Sequence, residues 1–309
     1  MLAIIVPFYK LTFFETTLKS LASQSDKRFK VYIGDDASSR SPIDLLEKYK
    51  GQFDFVYHRF ETNLGGISLT KQWERCIALS NEEEWIMILG DDDVLDSNCI
   101  SEFYANKTEI INSNCNVVRY ATVIIDQDNI VTSSEYRHPK LEKATDFFYR
   151  RFTNKTRSSL SEYIFTRKVY EKYGFYNYNL AWYADDRAWL EFSEFKDIYT
   201  INTAIVRFRL SNENISRNYF KSKEKEIVQL QFFEYLVYKV LMKFTPKQKI
   251  FFLLYFEQII YKNKKVSISF WFYMCSCFMN SFYFVEVIKF TRRVLIYLKK
   301  ECKINLQYR

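Results

Sequence analysis

Residues 85–95 read WIMILGDDDVL, an apolar run that ends in one glycine and three consecutive aspartates. Residues 85–89 predict a short buried strand, because they are apolar at every position. Asp91, Asp92 and Asp93 follow directly, and three adjacent carboxylates repel one another strongly unless a cation neutralises them. The stretch therefore predicts a buried strand of an α/β domain that ends in a cation-binding loop.

Strands and helices alternate upstream of this stretch. The pattern predicts strands at residues 2–6, 29–33 and 53–59 and helices at about 11–25, 41–50 and 67–80. Alternation at this spacing is typical of a Rossmann-like, mostly parallel sheet flanked by helices. Since ligands bind beyond the carboxyl ends of such strands, we expect the acidic loops after the second and fourth strands to open into one cleft.

The pattern weakens after residue 96. It predicts strands at 117–125 and 198–209, helices at 167–174 and 184–196, and a mobile loop over the polar and basic residues 139–158.

The acidic loop after the fourth strand is the candidate metal site. Asp92 is the first choice as a ligand of Mg²⁺ or Mn²⁺, which prefer hard oxygen ligands and can bridge a diphosphate. Asp93 is the second metal candidate, as a support beside the ion, and Asp91 is placed to reach ribose hydroxyls. The alternative is that Asp93 simply caps the following helix.

Two further acidic pairs are candidate site residues. In the pair Asp35-Asp36, a carboxylate at the strand end can accept a hydrogen bond from a nucleotide base, although such pairs are also common in ordinary turns. Aromatic residues of the segment 182–189 surround Asp185 and Asp186. Desolvation by aromatic rings raises the pKa of a carboxyl group, which suits a general base. The alternative is an acidic helix start favoured by the helix dipole.

Basic residues provide weaker candidates for binding phosphates. Lys71 or Arg75 can approach a diphosphate, although a solvated helix face is the simpler interpretation. A basic stretch that can hold a pyrophosphate contains Arg207, Arg209 and Arg217. Neither GxGxxG nor GxxxxGK[ST] occurs in the sequence, so a bound diphosphate would depend on a metal rather than on a glycine-rich loop.

Composition narrows the classes of function. The 309 residues carry a net charge of +8 and include only two histidines. This favours anionic partners and argues against a histidine-rich metal site. Nucleic acid is not an expected partner, because the sequence has no helix-turn-helix, RRM or zinc motif.

The chain changes character after residue 218. Residues 221–243 and 246–262 have helical spacing, and Thr245-Pro246 is a typical helix start. Residues 267–285 are 19 positions without a charge, between clusters of lysine and arginine. We expect an interfacial helix hairpin that places 265–309 on a membrane surface. A packed aromatic helix pair and a membrane span are the alternatives.

Taken in order, these motifs resemble those of the family-2 glycosyltransferases of the GT-A fold. The resemblance runs through residues 4–9 (IIVPFY), 34–38 (GDDAS), 63–66 (NLGG), 88–95 (ILGDDDVL), 174–175 (GF) and 185–189 (DDRAW). It implies a GT-A domain with a nucleotide-sugar-binding half, 1–96, and an acceptor-binding half, 97–218. A helical appendage, 219–309, follows.

The resemblance implies a role for each donor-side residue. Tyr9 would stack on the nucleotide base, with Pro7 beside it. Asp36 would bind the base edge, Asp91 the ribose, and Asp92 the divalent metal. The usual donor in this family is a UDP-sugar.

The resemblance also implies a catalytic base in the later acidic pair, for a single inverting displacement. The family often has Glu-Asp here, with a tryptophan four residues on. Counting back from Trp189 selects Asp185, whereas aligning the pair with Glu-Asp selects Asp186. Our preference at this point is Asp186.

Two departures from the family pattern bear on the metal. Gly90 stands where the family often has the first Asp of Asp-x-Asp-Asp, and Ser211 stands where many members have a histidine. They keep a degenerate, non-catalytic sugar- or nucleotide-binding module open as an alternative. A sugar-nucleotidyltransferase is a second alternative, but it should have a glycine-rich loop after the first strand.

The expected acceptor is a hydroxyl of a glycan or of a lipid-linked molecule. The Gln-x-x-Arg-Trp motif of processive synthases does not occur, which predicts one sugar per acceptor visit. Without a signal peptide before the first strand, we expect a cytoplasmic protein at the inner face of the cytoplasmic membrane. By family analogy, the setting would be bacterial surface-polysaccharide synthesis.

Overall fold

The computed structural model describes residues 1–211, 222–263, 266–281 and 283–307. The chain divides into two compact units, Met1–Lys225 and Glu226–Arg309, with the boundary inside the helix Ser222–Tyr235. The first unit contains every described residue that the sequence proposes for the site. Arg217 lies outside the described residues.

The first unit alternates strands and helices, in the predicted order up to residue 88 and with further, unpredicted elements after it. Its elements are β1 Leu2–Phe8, α1 Phe14–Ala22, β2 Phe29–Asp35, α2 Ile43–Lys48, β3 Asp54–Arg59, α3 Leu69–Ile77, β4 Trp85–Ile88, β5 Val94–Leu95, α4 Cys99–Asn112, β6 Val117–Ile125, β7 Leu141–Lys143, α5 Ala144–Phe152, β8 Tyr163–Thr166, α6 Arg167–Tyr173, a 3-10 turn Asn179–Ala181, α7 Ala184–Phe192 and β9 Asp197–Arg209.

The described strands form one sheet in the order β3-β2-β1-β4-β8-β6-β9-β5, with β7 paired to β9. β1 pairs in parallel with β2 and β4, and β2 with β3, which confirms the parallel arrangement expected for the first four strands. The other half of the sheet is mixed: β8 is antiparallel to β4 and β6, whereas β6 and β9 are parallel.

Continuous apolar sequence explains why β1 and β4 lie at the centre. All four residues of β4 are buried, and so are six of the seven residues of β1. Helix α1 covers this part of the sheet with Phe14, Leu18 and Leu21, which are buried and spaced so that they share one helix face. Because the central strands are parallel, their carboxyl ends and the loops that follow lie at the same edge.

The segment 139–158, predicted as a mobile loop, instead contains β7 and α5. Glu142 is buried and forms ion pairs with Arg119 and Arg150. Arg119 is itself fully buried and lies over the ring of Phe147. Charged residues that suggested a solvated loop are therefore ion-pair partners inside the fold.

The second unit is helical. Its elements are α8 Ser222–Tyr235, a π-helical segment Leu236–Val240, a 3-10 turn Leu241–Lys243, α9 Pro246–Lys262, α10 Ile268–Asn280 and α11 Phe284–Gln307. The predicted helix start is confirmed, because Thr245 and Gln248 form a capping box with Pro246 in the first turn. None of the described helices combines the length and the apolar character needed to cross a membrane.

Candidate active site

The two acidic loops lie on either side of the end of β1. The backbone N–H of Asp36 donates to the carbonyl of Phe8 at 2.9 Å. On the other side, the backbone N–H groups of Tyr9 and Lys10 each donate to Asp91 Oδ2 at 2.8 Å. The parallel order of β2, β1 and β4 therefore brings both loops to one edge of the sheet.

Asp91 fixes the backbone at Tyr9, the residue that the family resemblance places against the nucleotide base. Its carboxylate holds the backbone of residues 9–10, while burial raises its pKa to about 6 against these two hydrogen bonds. The Tyr9 side chain is 45% exposed, and Pro7 is half-buried. An exposed ring on an anchored backbone is suited to stacking on a planar ligand.

Asp92 is half-buried, and no other described residue donates a hydrogen bond to its carboxylate. Burial, together with the charges of Asp93 and Asp91, raises its pKa to about 8. The Arg209 charge only partly opposes them. An ionised Asp92 is therefore costly in this loop unless a cation approaches it.

Asp93 anchors the loop of residues 91–93 in the protein interior. It is buried; the backbone N–H of Arg209 donates to Asp93 Oδ1 at 2.8 Å and the Ser161 hydroxyl donates to Oδ2. The Thr17 hydroxyl donates to the Asp93 carbonyl at 2.9 Å. Both carboxylate oxygens are thus engaged by the protein, which favours the supporting role over direct metal ligation. Asp93 also does not cap α4, whose N-cap is Asn98.

Gly90 fits this loop for a steric reason. A Cβ at this position would lie 3.0 Å from Asp93 Oδ2 and 3.1 Å from Asp92 Oδ1, closer than ordinary van der Waals contact. The glycine at the first position of the Asp-x-Asp-Asp pattern therefore leaves space for the Asp92 and Asp93 carboxylates, which lie close to the backbone of this loop.

The sequence offered Arg209 as a residue that can hold a pyrophosphate; in the structure its side chain bonds within the protein, and the pyrophosphate role stays a prediction. Arg209 is fully buried, and Nε donates to the Asp92 carbonyl at 2.8 Å. Nη1 donates to the Asp126 carbonyl at 2.7 Å and Nη2 to Asn129 Oδ1 at 2.6 Å. Arg209 therefore ties the acidic loop to the turn after β6.

Arg207 likewise has a partner in the protein. Its Nε lies 2.7 Å from Asp96 Oδ1, in an ion pair between β9 and the residue after β5.

Asp36 is held by the glycine turn. The backbone N–H of Leu64 donates to Oδ1 at 2.7 Å and that of Gly65 to Oδ2 at 2.8 Å, and Arg75 forms an ion pair with the same carboxylate. A Cβ at Gly65 would lie 2.5 Å from Asp36 Oδ2, so glycine is required for this close approach. The base-edge role of Asp36 stays a prediction.

Of the two basic candidates on α3, Arg75 contacts the Asp36 carboxylate, in the loop that follows β2. Lys71 is exposed and pairs at 2.7 Å with Glu74 on its own helix.

The two carboxylates of the later acidic pair have different surroundings. Asp186 is 2% exposed, and its Oδ1 lies 2.8 Å from Arg151 Nε. These atoms lack hydrogen-bond alignment, so the contact is an ion pair. Burial raises the pKa of Asp186 to about 7 despite the Arg151 charge. Asp185 is half-buried, and burial raises its pKa while Arg151 lowers it. Accessibility favours Asp185 as the base, against our sequence-based preference for Asp186.

The tryptophan of this motif anchors α7. Trp189 is buried and stacks on Tyr163 of β8, with ring centroids 4.0 Å apart. Because Trp189 fixes the helix on the sheet, the two aspartates of its first turn have a defined position.

A left-handed turn precedes α7. Leu180, Ala181 and Tyr183 have φ of 59°, 52° and 66°, a region that residues with a side chain rarely adopt. Such strain is often found at functional sites. Here it directly precedes the acidic pair.

The charge of Arg157 acts on both the acidic loop at 91–93 and the acidic pair at 185–186. Its Nη1 lies 3.3 Å from Glu162 Oε2 and 3.0 Å from Thr122 Oγ1. Its charge lowers the pKa of both Asp93 and Asp185, which places both carboxylates within electrostatic range of one guanidinium.

Sequence reasoning missed Arg151, Arg157 and Ser161. All three lie in or near the segment that was interpreted as a loop. The available signal was charge complementarity: the acidic pair of α7 needs basic neighbours, and residues 150–157 are the arginine-rich stretch of this half.

A divalent cation fits the charge of the acidic loop. Among the described residues, no three histidine, cysteine or carboxylate groups form a ready-made metal site. However, Arg209, whose charge lowers the pKa of Asp92 and Asp93, bonds through its guanidinium to neutral oxygens. Mg²⁺ is commonly held by one or two carboxylates together with substrate phosphates. Asp92 can supply one such ligand.

Comparison with solved structures identifies the fold. The chain resembles S. aureus TarS 1–349 in complex with UDP-GlcNAc, with a TM-score of 0.64 and 16% identity over 91% of this chain and 80% of the TarS chain. The corresponding complex with UDP gives a TM-score of 0.62, again with 16% identity and the same coverage of both chains. GalNAc-T7 with UDP, GalNAc and Mn²⁺ gives 0.52 and 11% identity, over 77% of this chain and 50% of that one. These likenesses confirm the GT-A fold.

Sequence comparison identifies the family. No curated protein matches the chain significantly. The family model described as "Glycosyl transferase family 2" matches residues 3–178, which is more than half of the 309 residues and includes both acidic loops of the parallel half. The chain therefore belongs to glycosyl transferase family 2.

Proposed function

We propose that the protein transfers a single sugar from a UDP-sugar to a hydroxyl of a glycan or lipid-linked acceptor, with inversion at the anomeric carbon. The observation that carries this proposal is the Asp92 carboxylate. It is half-buried, has a raised pKa and receives no hydrogen bond from another described residue. Family membership supports the reaction class. The relatives solved with UDP-GlcNAc, or with UDP, GalNAc and Mn²⁺, support the donor class and the metal.

The donor side binds and orients the nucleotide. Tyr9 stacks on the base, beside Pro7, and Asp91 fixes the backbone of this loop. Asp91 also faces the ribose hydroxyls, and Asp36 lies across β1 at the base edge. Because these groups are anchored to β1, β2 and β4, they are preorganised before the donor arrives.

Mn²⁺ or Mg²⁺ is the proposed cofactor, with Asp92 as its protein ligand. When bound, the ion neutralises charge that builds up on the diphosphate as it leaves. The supporting residues Asp93, Ser161 and Arg209 keep the loop in position.

The acceptor side carries the proton transfer. The acceptor oxygen forms a bond to the anomeric carbon as the bond from that carbon to the diphosphate oxygen breaks. UDP leaves with the electron pair, and Asp185 takes the proton of the acceptor hydroxyl. Asp186 stays paired with Arg151. A carboxylate with a raised pKa is matched to this task.

Thermal unfolding with nucleotide tests the donor and metal assignments together. UDP at about one hundred times its dissociation constant should stabilise the protein by about 2.7 kcal/mol. We expect this stabilisation with Mn²⁺ or Mg²⁺ and not with EDTA, and we expect it to disappear in Asp92→Asn but not in Asp128→Asn, which alters an exposed carboxylate. Equal stabilisation in EDTA would overturn the metal assignment.

A transfer assay separates the enzyme from a binding module. UDP-sugars that stabilise the protein are incubated with acceptor glycans and lipid-linked sugars, and UDP release and product are measured. Binding without transfer to any acceptor would favour the non-catalytic module. The proposed setting, surface-polysaccharide synthesis at the inner face of the bacterial cytoplasmic membrane, predicts lipid-linked sugars as the best acceptors.

A further inference from the structure

The two last helices present an exposed apolar surface. On α10 it consists of Ile268, Phe272 and Met279, and on α11 of Phe284, Ile288, Leu295 and Leu298. Phe272 is 63% exposed and Ile288 is 73% exposed. At about 100° per residue, the members on each helix fall within roughly 80° of one another. Each helix therefore has one continuous outward stripe, which we call the apolar stripe of that helix.

The stripes are not the faces by which the helices pack. Phe270 and Phe278 of α10 are buried and contact Phe290 of α11, with ring centroids 5.7 and 5.8 Å apart. Arg293 joins α11 to α9 through two bonds to Glu257, at 2.7 and 2.8 Å. The described core of the second unit is therefore formed by other residues, such as Phe270, Phe278 and Phe290.

Basic residues border the α11 stripe. Arg292 and Lys299 lie next to the stripe on the helix surface, and Lys289 and Lys300 lie farther round; all four are exposed. Residues 264–309 contain nine Lys or Arg and two Glu, a net charge of +7 out of the chain's +8. Nearly all of the net positive charge is therefore concentrated in the part of the sequence that carries the stripes.

We propose that the apolar stripes of α10 and α11 lie on an anionic lipid bilayer, with the basic residues of α11 against the lipid headgroups. An apolar stripe bordered by Lys and Arg is the pattern of helices that lie in the membrane interface. Basic residues near an anionic surface add electrostatic attraction that decreases as salt is added. The proposal is independent of the donor and of the catalytic base, because it involves neither.

Vesicle sedimentation of the full-length protein tests the proposal. We expect binding to phosphatidylcholine vesicles that contain about 30 mol% phosphatidylglycerol to be at least roughly tenfold tighter than binding to pure phosphatidylcholine. We expect binding to the anionic vesicles to weaken in high salt. Failure to bind vesicles of either composition would overturn the proposal.

Two variants test the two parts of the surface. Phe272→Ser with Ile288→Ser should weaken binding at least about tenfold, because apolar insertion is lost. Replacing Lys289, Arg292, Lys299 and Lys300 by Gln should remove the preference for the anionic lipid. Matched controls are Met242→Ser, at an exposed apolar position outside the stripes, and Gln at the exposed lysines 19, 48, 155 and 168 of the first unit. A thermal unfolding curve and a far-UV circular dichroism spectrum unchanged from those of the wild type show that each variant is folded.

A second copy of the chain is the competing occupant. Sedimentation velocity without lipid measures it directly. A dimer that dissociates in Phe272→Ser with Ile288→Ser, together with no vesicle binding by the wild type, would assign the stripes to self-association and overturn the membrane proposal.

Discussion

The acidic loop at residues 91–93 and the acidic pair at 185–186 each contain one buried carboxylate, Asp93 and Asp186, but the fold compensates their charge differently. The loop has neutral or backbone donors around it: Ser161, the N–H groups of residues 9–10, and the N–H of Arg209. The pair lies beside the guanidinium of Arg151. Among the described residues, Arg157 and Arg209 act on the loop carboxylates through their charge, whereas Arg151 forms an ion pair with Asp186. This difference supports our proposal of a metal at the loop and of proton transfer at the pair.

The largest expected effect tests Asp92 as the proposed metal ligand of the loop. Asp92→Asn should lower the transfer rate on the order of 10³-fold, because several kcal/mol of charge stabilisation depend on a metal held there. The measurement is the initial rate of UDP release with acceptor at saturating donor and metal. Asp128→Asn, at an exposed position after β6, is the matched control. A loss of less than tenfold in Asp92→Asn would remove Asp92 from the mechanism.

The next effect tests which carboxylate of the pair takes the proton. Asp185→Asn should lower the rate by about 10² to 10⁴-fold, the usual contribution of a general base, with unchanged stabilisation by UDP and Mn²⁺. Asp186→Asn should lose less activity but more thermal stability, because it leaves Arg151 buried beside a neutral group. If Asp186→Asn lost more activity at full stability, the base would be Asp186.

The charge of Arg151 should influence the pH dependence of the transfer rate. Arg151 lowers the pKa of Asp185, and a base works in its deprotonated form. Arg151→Met should therefore move the acidic limb of the rate profile to higher pH, by about one unit, whereas Arg151→Lys keeps the charge and should move it less. A uniform loss of rate at every pH, with an unmoved limb, would reduce Arg151 to a structural role.

The smallest effect concerns the two basic residues of α3. Lys71→Ala should change the rate and the donor KM by less than about twofold, because an exposed ion pair contributes little. Arg75→Ala should raise the donor KM more, since it releases the Asp36 carboxylate from its ion pair. Steady-state kinetics of the two variants side by side measure this difference. A larger effect on the donor KM in Lys71→Ala than in Arg75→Ala would instead support Lys71 as the residue that binds the donor phosphates.

The parallel half was predictable from the sequence because its information is local. Residues 2–8 and 85–88 are apolar throughout, so the strands and the order of strands and helices follow from pattern alone. The placement of the acidic loops at one edge then follows from the parallel order.

The acceptor half was less predictable because its order depends on contacts between distant residues. Glu142, Arg150 and Arg151 looked like part of a solvated basic segment. Glu142 instead pairs with Arg119 and Arg150, and Arg151 pairs with Asp186. A charged residue that is buried against a distant partner has the same local pattern as one in solvent.

The sequence by itself determined the strand–helix alternation, the acidic loops, the family and the helical character of the C-terminal region, since these depend on residue type and spacing. Only the tertiary structure decided that the Asp92 carboxylate receives no hydrogen bond from another described residue, that Asp93 and Arg209 are bonded within the protein, and that Asp186 is paired. Burial and partner choice depend on residues far apart in the chain, and these properties decide which of several adjacent carboxylates can reach a ligand.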